Sequence, residues 1–225
     1  LSTLFVCPQA SAHGLPADGT VRAMTELDAI SRRQRGVVTR PQALQNGMSP
    51  TDLHELIRSG HWQRLMPGIY ATFAGLPPPA AMRWAAVLYS GRGAMLCHRS
   101  AAEETGLAEP VPGAVHVLIP ENRRVRPHPA IVIHRSRHAP ARRDPRRRPP
   151  QTRVEDTVLD LASTSAGARE AQRWITSACI RRLTTAERLA DALSHRPRLI
   201  RGREIAALVA GAVRGTSELP AWPAD

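Results

Sequence analysis

The sequence predicts a mixed α/β (α+β) protein with an N-terminal winged helix-turn-helix, a mixed α/β segment after it and a set of C-terminal helices. Three observations predict this. Helix-start residues, short turns and a hairpin pattern follow one another between residues 25 and 73. Beyond the stiff run Pro77-Pro78-Pro79, helical and β-branched stretches alternate. From residue 166 onward the apolar spacing is helical only. The expected divisions are 1–24 as a tail or upstream sequence, 25–76, 77–165 and 166–225.

Thr25 is placed to cap a first helix over Glu26 to Gln34, with Leu27 and Ile30 on one face and Gly36 at its end. Val37 and Val38 read as extended. Thr39 caps a short second helix with Pro41 in its first turn, and Gly47 closes it. Ser49 caps a third, with Pro50 at the first helical position and Asp52 as the acidic member of a capping box. Leu53, Leu56 and Ile57 form its buried stripe, which sends Thr51, His54, Glu55 and Arg58 towards solvent before Gly60 ends the helix. His61 to Leu65 then alternates in character, Met66-Pro67-Gly68 supplies a turn, and Ile69 to Thr72 returns as a strand.

Such a hairpin is a wing. In winged helices the third helix enters the major groove of DNA while the wing lies along the adjacent backbone. The expected partner is double-stranded DNA, and the expected contacts are Thr39, Arg40, Ser49, Thr51, His54, Arg58, Gln63 and Arg64. The same fold also serves protein contacts, in which case these side chains are simply solvated. Charge does not decide, because the first 75 residues hold 7 Arg against 5 acidic residues.

Further along, Ala80 to Tyr89 reads as a helix with Trp84, Val87 and Leu88 on its inner side, and Ser100 to Leu107 as another. Val115 to Ile119 and Ile131 to His134 read as strands that pair. Val154 to Ala162 is a helix, followed by helices near 167–183, 185–194 and 202–213, the second of them capped by Thr185.

All 31 residues of the Lys+Arg class are Arg, and the net charge is +12. The absence of Lys excludes a Walker A loop and a Schiff-base enzyme, since arginine does not lose its proton. Residues 123–148 hold 10 Arg and one acidic residue, Asp144, so most of the positive charge lies there. Arg142, Arg143, Arg146, Arg147 and Arg148 are the expected accessory phosphate contacts; the alternative is a solvated Arg/Pro loop.

Cys7, Cys97 and Cys179 are far apart and odd in number, which argues against a disulfide framework or a cysteine-based zinc site and fits a reducing cytoplasm. No stretch reaches the ~20 apolar residues of a membrane span. The run Leu1 to Ala12 ends like a signal-peptidase site but lacks a basic start, and Met24 is the expected start of translation. His134 and His138 have metal-like spacing, yet they sit at a strand end with no nearby carboxylate. Cys97 and His98 are sequence neighbours, whereas a nucleophile and its base need spatial adjacency. Asp156 and Asp160, four apart on one helical face, read as solvated groups or partners of Arg. No catalytic residue, metal or cofactor is expected, and the chain is not read as an enzyme.

Several pieces in their order carry a resemblance. These are Gly36-Val37-Val38-Thr39, Pro67-Gly68-Ile69-Tyr70, His98-Arg99-Ser100-Ala101-Ala102 with Gly106-Leu107, the strand His116 to Pro120, and Thr157-Val158-Leu159-Asp160-Leu161-Ala162. Over roughly residues 25–215 the chain resembles the AbiEi-type antitoxins of type IV toxin–antitoxin systems, in their actinobacterial form. The resemblance implies a winged-helix domain that represses its own operon and a larger domain that contributes to antitoxicity. It also implies a nucleotidyltransferase-like toxin that is opposed without a stable complex. Many such relatives continue into an endonuclease-like domain resembling very-short-patch repair nucleases, near the position of Gly215 to Leu219 here. The sequence ends soon after at Asp225, so a lost or truncated nuclease is expected. The alternative function is an accessory subunit or remnant of such a nuclease, without activity of its own.

Overall fold

The computed structural model describes residues 18–215, with side chains from residue 25. The readings placed on the run Leu1 to Ala12 and on the tail from Thr216 lie outside the described residues.

The first helix, α1, spans Asp18–Arg33. It therefore begins before Thr25, which lies within it rather than capping it. Then come β1 (Val37–Thr39), α2 (Arg40–Gln45), α3 (Pro50–Arg58), β2 (Gln63–Met66) and β3 (Ile69–Ala71), the order of a winged helix. The caps expected at Thr39 and Ser49 form. The Thr39 and Ser49 side chains each accept from the backbone three residues on, and Gln42 and Asp52 reach back to the cap N–H.

The three strands make one antiparallel sheet in the order β1-β3-β2. Because side chains alternate along a strand, this sheet has two apolar faces. Val38 lies opposite Tyr70, and both pack with Leu27, Ala43 and Leu53 of the three helices. Val37, Ile69 and Met66 belong to a different core, which includes Trp84 and Ala85 of α4 (Pro79–Ser90) and reaches Val117 and Ile119. The apolar core thus runs past the Pro77-Pro78-Pro79 run, whose last residue opens α4.

Gly36 makes the turn between α1 and β1 at φ +80°, and a Cβ there would lie 2.6 Å from Phe73 Cε1. Gly36→Ala is expected to cost about 1–2 kcal/mol from the left-handed backbone alone, and more from displacing the Phe73 ring. A thermal melt reads this, and an unchanged Tm would show that the turn relaxes freely.

A second sheet holds β4 (Met95–Leu96), β5 (Val115–Pro120) and β6 (Ile131–Ser136). β4 pairs antiparallel with β5, and the expected pairing of β5 with β6 forms in parallel. Between β4 and β5 lies α5 (His98–Thr105). The C-terminal helices are α6 (Val154–Ser163), α7 (Ala168–Ile180), α8 (Ala186–Ser194) and α9 (Gly202–Arg214). They close around Leu159, Ile175, Leu189 and Ile205, with Ala102 of α5 joining the same cluster. The Thr185 side chain caps α8 as expected.

Candidate nucleic-acid interface and a buried polar centre

The first turn of α3 is set by Ser49 and Asp52: Ser49 Oγ accepts from Asp52 N at 3.1 Å, and Ser49 N donates to Asp52 Oδ2 at 2.9 Å. Hydrogen bonding from Ser49, its side chain first and its backbone N–H second, holds the Asp52 carboxyl below its ordinary pKa. With the helix so fixed, Thr51, His54 and Arg58 are all exposed. Arg58 lies 3.5 Å from Glu55 in an exposed pair, which solvent screens. Arg40 opens α2 and Arg64 stands on β2, both exposed.

Three of the expected contacts have other work. Thr39 Oγ1 accepts from Gln42 N at 3.2 Å, and Ser49 Oγ serves its own cap. Gln63 Nε2 donates to the carbonyls of Phe73 at 3.1 Å and Gly75 at 2.7 Å, which ties the wing to the chain leaving it. Its amide donors are consumed by the fold and are not free to read a base edge. Gln34 and Gln42 exchange amide hydrogen bonds of 3.1 and 3.2 Å, and Gln34 also donates to Val37 O. That link between α1 and α2 carries no sequence signal, since neither glutamine belongs to a distinctive pattern.

The arginine-rich segment divides in the same way. Arg146, Arg147 and Arg148 are exposed, and Arg143 is half-buried. The segment is tied back to the chain that follows it: Asp144 N donates to Gln151 O at 2.9 Å, and Arg153 N to Arg142 O at 2.9 Å. Arg142 departs from the expectation of a phosphate contact. Its side chain is 12% exposed, and its guanidinium donates to Asp156 Oδ1 at 2.9 Å and to Asp160 Oδ2. A mostly buried guanidinium held by two buried carboxylates is turned into the fold rather than presented to a phosphate.

Asp156 and Asp160 do partner Arg, but they are buried rather than solvated. Arg196, which follows α8, donates to Asp160 Oδ1 at 2.7 Å. Burial alone would raise the Asp160 pKa; Arg142 and then Arg196 outweigh it and leave the carboxyl below its ordinary value. For Asp156 burial wins over the same two arginines, and the direction is upward.

Beside this network lie three imidazoles. β5 and β6 pair in parallel with Leu118 opposite His134, so His116 and His134 share one sheet face. His116 Nδ1 and His134 Nε2 are 3.0 Å apart. The His98 ring stacks on His134 at 3.9 Å between centroids and 17° between planes. Burial lowers all three pKa values; at His134, where the charges of His98 and His116 add to it, the value falls to about 4. Cys97, immediately before α5, is fully buried, and burial followed by the Asp160 charge pushes its thiol upward. Donor atoms of Cys97, His98 and His134 lie within 4.8 Å of one another. The partner of His134 is therefore not His138, which is exposed and accepts from Arg137 Nε at 2.9 Å. Finding this cluster from sequence required the register of β5 against β6, which local pattern does not give.

Among the described residues no helix is long and apolar enough to cross a membrane. No curated protein matches the chain at a significant level. Among solved structures, the chain is similar to the RV2827C protein from Mycobacterium tuberculosis, at 19% identity and a TM-score of 0.51, over 95% of this chain and 86% of that one. At that identity the likeness is one of fold, and it supports the mixed α/β class. Residues 26–72 match the model of the family described as "Transcriptional regulator, AbiEi antitoxin". The expected likeness to the AbiEi-type antitoxins therefore holds over the winged helix, from β1 and its flanking helices to the end of the wing.

Proposed function

We propose that the chain is a DNA-binding transcriptional regulator, an antitoxin-like autorepressor of a type IV toxin–antitoxin system acting in the cytoplasm. The observation that carries this reading is the capped helix α3, with Thr51, His54 and Arg58 exposed, inside the segment that matches an antitoxin regulator family. The helix N-terminus favours a phosphate, and the exposed side chains offer donors to base edges. Arg40 and Arg64 flank it as phosphate contacts, and Arg146 to Arg148 add positive charge that is independent of sequence. Residues 25–76 act as the DNA-reading part, with 77–165 and 166–225 as the part that opposes a nucleotidyltransferase-like toxin without a stable complex. The protein itself performs no catalysis in this role and needs no cofactor.

The test is binding to a fragment of the gene's own upstream region against random duplex at physiological salt. Preference for the upstream fragment is expected, and Arg58→Ala should weaken it by ~1–3 kcal/mol where the contact is to a base. Equal affinity for both duplexes would remove sequence-specific regulation.

A further inference from the structure

We propose that Cys97, His98 and His134 form a binding site for a borderline divalent transition-metal ion, zinc in the first instance. The backbone is arranged to bring the three together. Along an extended chain, successive side chains point to opposite sides, so Cys97 and His98 would ordinarily diverge. Here Cys97 is extended at φ −146°, and His98 takes the left-handed conformation at φ +47°, rare for a residue with a side chain. Thiol and imidazole thereby both come within reach of His134 on β6, a residue from a distant part of the chain.

The donor set selects the ion. One thiolate sulfur with two imidazole nitrogens suits zinc and its neighbours, whereas magnesium and calcium require oxygen. In a tetrahedral zinc site, donors bound at about 2.0–2.3 Å stand roughly 3.3–3.6 Å apart. Atoms already within 4.8 Å close to that separation by side-chain rotation, with one of the two stacked rings turning aside. One ring nitrogen there is unsatisfied: His98 Nδ1 is buried and makes no hydrogen bond, the nearby Asp160 Oδ2 being 3.8 Å away.

The surroundings have the form of an outer shell. His116 Nδ1 stands 3.0 Å from His134 Nε2, where a second imidazole fixes the ring orientation of a metal-binding histidine. His98, His134 and Asp160 also line a cleft of about 1430 Å³, which gives the ion a route in from solvent. On binding, the Cys97 thiol gives its proton to solvent and coordinates as thiolate, and the two imidazoles coordinate as neutral rings.

The test uses the full chain, stripped with a chelator and titrated with cobalt(II) as a spectroscopic stand-in for zinc. A thiolate-to-cobalt charge-transfer band is expected in the near ultraviolet, and zinc should displace it. Cys97→Ser should abolish the band, His98→Ala and His134→Ala should weaken cobalt binding at least about tenfold, and His116→Ala should weaken it by about 10–100-fold through loss of ring orientation. Cys7→Ser and Cys179→Ser should leave it unchanged. His134 is only partly buried, so His134→Ala keeps the test decisive even where Cys97→Ser does not fold, folding being checked by circular dichroism. A charge-transfer band that survives Cys97→Ser, or equal cobalt affinity in His134→Ala and the parent, overturns the site. DNA binding is not read in this experiment, so its outcome is separate from the regulatory reading.

Discussion

Asp160→Ala is expected to destabilise the protein by about 3–5 kcal/mol, the usual consequence of removing one partner from a buried ion pair. The Asp160 side chain is 4% exposed and accepts from both Arg142 and Arg196. The side chains of those two arginines are themselves only 12% and 18% exposed. Without Asp160, two positive charges face each other in a desolvated space with Asp156 alone to share. Asp156→Ala should cost less, because Asp160 still engages both arginines. Urea unfolding followed by circular dichroism measures the difference. A destabilisation below about 1 kcal/mol for Asp160→Ala would mean that water screens the network as it screens a surface pair. The network joins the 3-10 turn Ala139–Arg142, α6 and the segment after α8. Breaking it should therefore loosen the packing of the C-terminal helices on the second sheet more than the winged helix.

What is legible in the sequence is local. Ser49, Pro50 and Asp52 announce α3 because capping joins residues three apart, and the structure has both bonds of the box. Gly68 and the alternation around it announce the wing for the same reason. β4 is not legible, since two residues inside Ala94-Met95-Leu96-Cys97 show no period of their own and become a strand only by pairing with Leu118 and Val117. The start of α1 is misplaced by the sequence pattern because Thr25 is a good cap residue by type, while the helix already runs from Asp18. The spacing of Asp156 and Asp160 suggests partners of arginine. Their burial and the identity of Arg142 and Arg196 are hidden, because those interactions depend on how distant segments fold together. The same limit hides the imidazole cluster and assigns Arg142 to the surface, although its neighbours Arg146 to Arg148 do lie there.

Replacing Arg146, Arg147 and Arg148 together with Gln is expected to flatten the salt dependence of DNA binding while leaving preference for the operator nearly intact. Each arginine–phosphate interaction that is removed lowers the slope of log K against log salt by about 0.9, because fewer counterions are released on binding. Three exposed guanidiniums can supply three such interactions, and phosphate binding carries no sequence information of its own. Arg142 is left in place in this variant, since its removal would leave the two buried carboxylates Asp156 and Asp160 with Arg196 as their remaining cation in this network and confuse binding with stability. The opposite pattern is expected from replacing Thr51, His54 and Arg58 with Ala: operator affinity falls towards that of random duplex, and the slope changes only by the Arg58 share. The two variants separate because one removes charge that meets any duplex and the other removes donors that meet particular bases. An unchanged slope in the arginine variant would return Arg146 to Arg148 to a solvated loop. Loss of operator preference in that variant would move sequence reading away from α3 and into the segment that follows the wing.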